Sequence, residues 1–217
     1  MTREEILRHC DHTILKIETT IDDIKRICDE GIKYNCASVC IPPKFVKFAK
    51  EYAKNRIPIC TVIGFPNGYN TAKVKAYEAK EAVIDGADEI DMVINNYQVK
   101  SEKYQEIFDE IVLVRNETKG KILKVIIETC LLTNDEIAKL TKLVSKTGAD
   151  YIKTSTGFSK CGATFDVVKV MAENVENGLK IKAAGGIKSF EDAEKYIKLG
   201  CDRIGTSSLV KICKEEE

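Results

Sequence analysis

The sequence has no net charge and no long apolar run. Its 34 basic and 34 acidic side chains cancel across 217 residues, so it lacks the broad positive field that binds nucleic acid or an anionic membrane. The longest apolar stretches, such as 125–127, fall far below the roughly 18 residues of a membrane span. Residues 1–5 are charged and contain no apolar signal core. We expect a cytoplasmic location, no membrane or nucleic-acid partner, and any bound anion to be held locally.

Disulfide and metal patterns are also missing. The nine cysteines are odd in number and form no C-x-x-C pair, and only two histidines are present to help hold a metal. We therefore expect free thiols in a reducing compartment and no metal site.

What is present is a repeated unit. The segments 85–93, 147–155 and 199–207 resemble one another, and each follows a stretch with apolar residues at helical spacing. Gly86, Gly148 and Gly200 each stand where such a helix would end, as glycine does at a helix C-terminus. Each unit therefore predicts a helix, a glycine stop and a short strand.

Five further segments predict strands, which brings the total to eight. They are 37–41, 59–63, 122–128, 180–184 and, more weakly, 12–16. Thr133 with Glu136, and Ser189 with Asp192, predict capped helix starts between strands. Strict alternation of strands and helices indicates parallel pairing, and eight units favour an α/β fold, a (β/α)8 TIM barrel formed by residues 1–217 as a single domain with an extra N-terminal helix. The alternative is a doubly wound open sheet, but no G-x-G-x-x-G follows the first strands.

Alternation along the strands selects the candidate chemistry. In residues 90–94 the apolar positions suit the helix layer, so Asp91 points into the barrel. The same argument places Lys153 and Lys182 inside, together with Lys124 and Glu128 on the 122–128 strand. A buried ammonium is costly unless it is paired, so lysines gathered in the interior suggest a function.

The function we infer from these residues is imine formation. Only a neutral amine attacks a carbonyl, and a lysine with a pKa of about 10.4 is almost wholly protonated at neutral pH. The neighbouring ammonium of Lys182 and a dry pocket would lower the pKa of Lys153, while the carboxylate of Asp91 would move protons. Lys153, Lys182 and Asp91 therefore form the predicted catalytic set.

Two loops after the seventh and eighth predicted strands suit a phosphate group. Gly185 and Gly186 follow one strand, and Gly205, Ser207 and Ser208 follow the next and begin the last helix. Glycines let the backbone approach an anion, while hydroxyls and helix N-terminal amides point at it. This is the usual phosphate position in such barrels.

Eight ordered motifs resemble those of the deoxyribose-phosphate aldolase family. They are 11–13 (DHT), 38–41 (SVCI), 62–66 (VIGFP), 89–94 (EIDMVI), 124–129 (KVIIET), 151–157 (YIKTSTG), 182–186 (KAAGG) and 205–208 (GTSS). Together they extend over residues 11–208, nearly the whole chain.

The resemblance implies a reaction and residue roles. Lys153 would form the Schiff base, with Asp91 and Lys182 as proton donor and acceptor, in the reversible cleavage of 2-deoxy-D-ribose 5-phosphate to D-glyceraldehyde 3-phosphate and acetaldehyde. It implies no metal or other cofactor, and it adds Gly157 to the phosphate-binding residues. We expect supporting roles for Asp11, Cys40, Lys124 and Glu128.

Two other functions stay open at this point. One is a different phosphosugar enzyme on the same barrel, an epimerase or isomerase, and the other is a barrel that binds a sugar phosphate without catalysis. The sequence does not determine the oligomeric state, although barrels of this kind often pair, so a homodimer is one assembly we consider.

Overall fold

Eight parallel strands close into one barrel in the computed structural model, which describes residues 1–217. The strands pair in chain order, and the last pairs with the first, with Asp11 opposite Gly205. The (β/α)8 prediction is therefore confirmed. The strands are β1 (Cys10–Thr13), β2 (Ser38–Ile41), β3 (Ile59–Ile63), β4 (Glu89–Val93), β5 (Ile122–Ile126), β6 (Tyr151–Lys153), β7 (Lys180–Ala184) and β8 (Cys201–Thr206).

Helices alternate with the strands and surround them. They are α1 (Arg3–Leu7), α2 (Ile21–Lys33), α3 (Val46–Ala53), α4 (Ala72–Ile84), α5 (Asn96–Lys100), α6 (Tyr104–Glu117), α7 (Asn134–Val144), α8 (Phe165–Ala172), α9 (Phe190–Lys198) and α10 (Ser208–Glu215). The extra N-terminal helix is α1, and α5 is a short helix that the alternation did not predict. Single 3-10 turns at Pro43–Phe45 and Thr129–Leu131 precede α3 and α7. None of these helices has the length and the apolar content that a transmembrane span needs.

Two predicted strands were placed wrongly at one or both ends. The first was expected at 12–16 but is Cys10–Thr13, because the apolar Ile14 and Leu15 that drew the prediction follow the strand. The fifth was expected to reach residue 128 but ends at Ile126, and Glu128 adopts a left-handed backbone with φ of 55°. The strands predicted at 59–63 and 180–184 are confirmed.

Local signals set the helix boundaries. Thr133 and Glu136 form a reciprocal capping box at α7, whereas Ser189 accepts from Asp192 N at α9 without the return bond. Gly86, Gly148 and Gly200 follow α4, α7 and α9 with φ of 101°, 79° and 104°, a region that only glycine enters without a Cβ penalty.

The hydrophobic core lies between the strands and the helices, not inside the barrel. A cluster of 46 buried residues joins outward-facing strand residues such as Ile90, Ile152 and Ile181 to the helices. Inside the barrel, Cys40, Cys60 and Val62 form a separate and much smaller apolar cluster. The same strands therefore bury apolar side chains on one face and leave the other face to polar ones.

One ion pair is buried in the outer layer. Nζ of Lys75 in α4 lies 2.7 Å from Oε1 of Glu110 in α6 and also donates to the carbonyl of Val93 at the end of β4. Both side chains are almost fully buried. Burial lowers the pKa of Lys75 and raises that of Glu110, against the opposing effect of each partner's charge. The pair thus connects two helices to the strand that carries Asp91.

Removing one partner of this pair should destabilise the protein more than removing both. We expect Glu110→Leu to lower the free energy of unfolding by about 3–5 kcal/mol, because it leaves a buried ammonium without a counter-ion. The double variant Lys75→Met/Glu110→Leu should recover most of that loss. Urea denaturation of the three proteins tests this, and a double variant no more stable than Glu110→Leu would contradict it.

Candidate active site

Lys153, Lys182 and Asp91 meet inside the barrel. Lys153 in β6 lies opposite Lys182 in β7 in the strand register, and Asp91 reaches both from β4. Nζ of each lysine is 2.8 Å from the same atom, Oδ2 of Asp91. The structure thus brings together the residues that strand alternation places in the interior, but the two amines share a carboxylate oxygen instead of facing each other as an uncompensated cationic pair.

Asp91 is the most connected acid of the site. Its second oxygen, Oδ1, accepts from Nζ of Lys124 at 2.8 Å and from the thiol of Cys60 at 3.2 Å. Burial alone would raise the pKa of Asp91, but the ammonium groups of Lys124, Lys153 and Lys182 outweigh burial and hold the pKa well below its usual range. Asp91 therefore stays ionised in the folded protein.

A second layer of charge lies beneath Asp91. Asp11 accepts from Lys182 and from Arg203, and Glu89 lies 2.5 Å from Nζ of Lys124 and 3.2 Å from the Arg203 guanidinium. Burial opposes the charge of Lys182, but Asp11 and Asp91 raise the pKa of Lys182 above its usual value. The pKa of Asp11 is lowered against burial by Lys182, Lys124 and Arg203. Every charge in this layer is therefore compensated.

A cavity of about 560 Å³ opens above this cluster. Of the three candidate catalytic residues, only Lys153 lines it, so Lys153 presents its amine to the cavity while Asp91 and Lys182 lie beneath. All six predicted phosphate-binding residues contribute to the wall: Gly157, Gly185, Gly186, Gly205, Ser207 and Ser208.

Close backbone approaches explain two of the wall glycines. A Cβ on Gly205 would come within 2.9 Å of the Ala184 side chain and 3.1 Å of Cε of Lys182. Gly185 packs against Gly162, whose own Cβ would lie 2.1 Å from the carbonyl oxygen of Gly185. Gly162 and Gly185 therefore let the loops after β6 and β7 lie against one another, and Gly205, which the structure places within β8 and not after it, lets that strand lie close to Ala184 and Lys182.

The predicted supporting residues lie in two places. Asp11, Lys124 and Cys40 are in the interior, where the neighbouring thiol of Cys60 lowers the pKa of Cys40 and burial raises that of Cys60. Glu128 was expected to point inward from the fifth strand. It does not, because the strand has ended before this residue. Its buried carboxylate accepts from the amide and hydroxyl of Thr156, and so holds the loop that continues into Gly157.

Two groups of buried side chains bring metal-ligand atoms near one another. They are Cys40, Cys60 and Asp91, and Asp11, Cys60 and Glu89. All three carboxylates already bind ammonium or guanidinium groups, and Cys60 accepts from Lys124 at 3.3 Å. The donor set of the interior is thus organised around lysine and arginine cations.

Sequence reasoning missed Glu89, Cys60 and Arg203. Glu89 lies two residues before Asp91 on β4, so the alternation that places Asp91 in the interior also predicts an inward side chain for Glu89. Alternation gives no such signal for Arg203. Because the buried Cys201 packs on the helix side two residues earlier, strict alternation would place Arg203 on the helix side as well. Cys201 pairs with Ile181, and Arg203 with the next residue, Lys182, so a bulge at Asp202 turns Arg203 into the barrel.

Comparison with known proteins gives concordant matches over the whole chain. The family model for DeoC/LacD family aldolase matches residues 6–215. The chain is 52% identical over 214 residues to a deoxyribose-phosphate aldolase of Clostridioides difficile, which covers 99% of this chain and 98% of that protein. It is 50% identical to one of Streptococcus agalactiae, over 100% of this chain and 97% of that protein.

A solved structure is also similar. The deoxyribose phosphate aldolase from Aeropyrum pernix, described as a tetramer, superposes with a TM-score of 0.88 at 30% identity. The match covers 99% of this chain and 92% of that chain.

The lowered carboxyl pKa values predict acid sensitivity of the fold. An aspartate of the unfolded chain has a pKa of about 3.9, which is above the folded pKa of Asp11 and Asp91. Below about pH 4 the unfolded chain therefore binds more protons than the folded protein does, and the free energy of unfolding decreases as the pH falls. We expect the free energy of unfolding, from urea denaturation between about pH 4 and 3, to fall less steeply in Asp91→Asn than in the wild type, by up to about 1.4 kcal/mol per pH unit. The exposed Asp22→Asn variant should keep the wild-type slope, and equal slopes in all three proteins would contradict the assignment.

Proposed function

The chain belongs to the DeoC/LacD family of aldolases, and on that premise we propose that it reversibly cleaves 2-deoxy-D-ribose 5-phosphate to D-glyceraldehyde 3-phosphate and acetaldehyde through an imine on Lys153. The observation that carries the proposal is the amine of Lys153, which lines a cavity walled by glycine and serine loops and lies 2.8 Å from a buried carboxylate. Relatives at about half identity that bear the deoxyribose-phosphate aldolase name support the substrate.

The balance of buried charge supports Lys153 as the nucleophile. The interior contains four basic side chains, Lys124, Lys153, Lys182 and Arg203, and three acidic ones, Asp11, Glu89 and Asp91. The cluster is therefore neutral when one lysine has lost its proton. Lys153 has one carboxylate partner, whereas Lys182 has two and Lys124 has three, so Lys153 loses least by becoming a free amine.

Imine formation requires protons to move at nitrogen and at oxygen. The neutral amine of Lys153 attacks C1 of the open-chain sugar, and the resulting carbinolamine loses a proton from nitrogen while its oxygen gains protons and leaves as water. Oδ2 of Asp91 lies within reach of the Lys153 nitrogen, and the ammonium of Lys182 donates to the same oxygen. Asp91 and Lys182 thus act as one proton-exchanging pair.

The protonated imine then draws electrons out of the C2–C3 bond. Loss of the proton from the C3 hydroxyl forms the carbonyl of D-glyceraldehyde 3-phosphate, and the C2–C3 electron pair enters the imine to give an enamine on Lys153. Protonation at C2 and hydrolysis release acetaldehyde and restore the amine. The ammonium groups of Lys124 and Lys182 keep Asp91 ionised beside the cationic imine.

The loops above the cluster provide the phosphate site of this proposal. Ser207 is the N-cap of α10 and Ser208 is its first residue, and both line the cavity, so this helix begins at the cavity wall. The backbone of Gly185 and Gly186 approaches from the neighbouring loop. Anchoring the phosphate there leaves the aldehyde end of the sugar to reach Lys153 at the floor.

Location and assembly are part of the same proposal. All nine cysteines are free thiols, six of them buried, which supports a reducing cytoplasm. A homodimer is our expectation for the assembly. The Aeropyrum pernix relative is described as a tetramer, which supports association of this chain with copies of itself but not the number of copies. Analytical ultracentrifugation measures the state directly.

Borohydride trapping tests the imine. Treating the protein with acetaldehyde and sodium borohydride should add about 28 Da, the mass of an ethyl group, to Lys153. Trypsin cannot cut after the modified lysine, so residues 147–160 should appear as one peptide.

Lys153→Arg is the matched control, because it keeps a cation beside Asp91 without a nucleophilic amine. It should gain no mass and lose cleavage activity. An epimerase or isomerase would retain activity in this variant, and a binding-only barrel would gain no mass even as wild type. Either result overturns the proposal.

Charge placed at the α10 N-terminus tests the phosphate site. Ser208→Asp should raise KM for 2-deoxyribose 5-phosphate by at least about tenfold, because the carboxylate repels the phosphate, while an acidic residue in the first turn remains compatible with the helix dipole. KM for unphosphorylated 2-deoxyribose should stay within about twofold of the wild type. Ser208→Asn, which is neutral and of the same size, separates charge from bulk, and equal effects of Asp and Asn on the phosphorylated sugar would rule out this placement.

A further inference from the structure

Glu128 is a buried acid that lies outside the charged cluster. Its side-chain partners are the amide and hydroxyl of Thr156 and the thiol of Cys130, with no basic side chain among them. The acids of the interior, by contrast, all bind ammonium or guanidinium groups. Because withdrawing a carboxyl group from water without a cation is costly, the position of Glu128 needs an explanation other than charge balance.

The backbone at Glu128 has the left-handed conformation that side chains rarely adopt, with φ of 55° and ψ of 66°. The amide of Ile127 donates to the carbonyl of Lys153 at 3.1 Å. The amide of Thr129, two residues further on, donates at 2.9 Å to the carbonyl of Thr154, which is only one residue further on. Glu128 is thus the extra residue of a bulge, and the bulge lets its carboxylate reach the loop after β6.

The contact with Glu128 determines which amides of that loop are free. The Thr156 amide donates to the carboxylate at 3.3 Å, and the Phe158 amide donates to Oγ1 of Thr156 at 3.1 Å. The amide between them, that of Gly157, has no acceptor in the protein. Gly157 is exposed and lines the cavity, with open space where a Cβ would stand. One donor of the loop therefore remains available to a ligand.

An aromatic contact holds the other end of this loop. The ring of Phe158 meets that of Phe65, in the loop after β3, edge to face with centroids 5.3 Å apart. Phe65 itself packs on the small apolar cluster inside the barrel. A polar contact at Thr156 and an apolar contact at Phe158 thus fix the loop on either side of Gly157.

We propose that Glu128 is a positioning residue for phosphate binding, an inference that rests on the proposed function. Its carboxylate orients Thr156, and Thr156 orients Phe158, so that the Gly157 amide is the donor that this loop offers to the phosphate of the sugar. An amide held in place beforehand binds a phosphate oxygen with little further loss of chain entropy. Glu128 acts through Thr156 and does not touch the substrate.

Glycine at residue 128 removes the carboxylate without straining the backbone, because glycine adopts a φ of 55° freely. Glu128→Gly should raise KM for 2-deoxyribose 5-phosphate by about tenfold, while KM for unphosphorylated 2-deoxyribose stays within about twofold of the wild type. Imine trapping with acetaldehyde at Lys153 should persist, since acetaldehyde carries no phosphate. Steady-state kinetics with the two sugars measure the difference.

Glu102 offers a matched control, because it is an exposed glutamate with the same φ of 55°, between α5 and α6. Glu102→Gly should leave both KM values within about twofold of the wild type. Glu128→Gln keeps an oxygen that accepts from Thr156, so its KM for the phosphorylated sugar should rise less than that of Glu128→Gly.

A double variant tests whether Glu128 acts through Thr156. Thr156→Val removes the hydroxyl that links Glu128 to the Phe158 amide. Glu128→Gly/Thr156→Val should exceed the larger single effect on KM by no more than about twofold, because both changes break one chain of contacts. Fully additive effects would contradict this chain.

Amide resonances in nuclear magnetic resonance test the donor without relying on catalysis. Glycerol 3-phosphate carries a phosphate but no carbonyl, so it cannot form an imine. Titrating it into the wild type should shift the Gly157 amide resonance, and the Kd obtained from the shifts should rise by about tenfold in Glu128→Gly. Glycerol, which lacks the phosphate, should leave this resonance in place.

Three results would overturn the role of Glu128. They are an unchanged KM for the phosphorylated sugar in Glu128→Gly, an equal rise of KM for both sugars, and a wild-type Gly157 resonance that glycerol 3-phosphate does not move. Failure of borohydride trapping in the wild type would instead overturn the aldolase reaction. The titration with glycerol 3-phosphate would then still decide whether Glu128 positions an anion-binding amide.

Discussion

The carboxylate of Asp91 is the interaction on which the rest of the site depends. Three ammonium groups and one thiol donate to its two oxygens in the buried interior of the barrel. Without that carboxylate, Lys124, Lys153 and Lys182 would repel one another in a medium of low dielectric constant. The layer of Asp11, Glu89 and Arg203 beneath completes the balance and leaves only Lys153 with a single partner.

The fold tolerates this polar interior because its apolar core lies elsewhere. Strand residues alternate, so the strands that supply charged groups to the interior also supply apolar side chains, such as Ile90, Leu123 and Ile152, to the cluster beneath the helices. Stability comes mainly from the outer layer, where burial of apolar surface is undisturbed by the site. The inner face is therefore available for chemistry.

The cavity wall contrasts with the floor in its chemistry. The floor concentrates compensated charge, whereas the wall combines glycine backbone, serine hydroxyls and a helix N-terminus with basic side chains such as Lys188 and Lys211. Groups of this kind suit an anion such as a phosphate. The wall loops also pack directly on one another, so a change in the loop after β6 reaches the loop after β7.

Much of the fold and the centre of the site could be predicted from local patterns. Glycine stops, capping residues and alternation do not need distant contacts, and they were enough for the eight strands and for the interior placement of Asp91, Lys153 and Lys182. Alternation failed at strand ends, as for Glu128, because the pleat no longer determines direction once the ladder stops.

What the sequence determined by itself was the order of the elements and the face on which each strand residue lies, because both follow from short-range periodicity. Only the tertiary structure decided which interior charges pair, since that depends on the register of neighbouring strands. The bulge that turns Arg203 inward exists only in the pairing of β7 with β8.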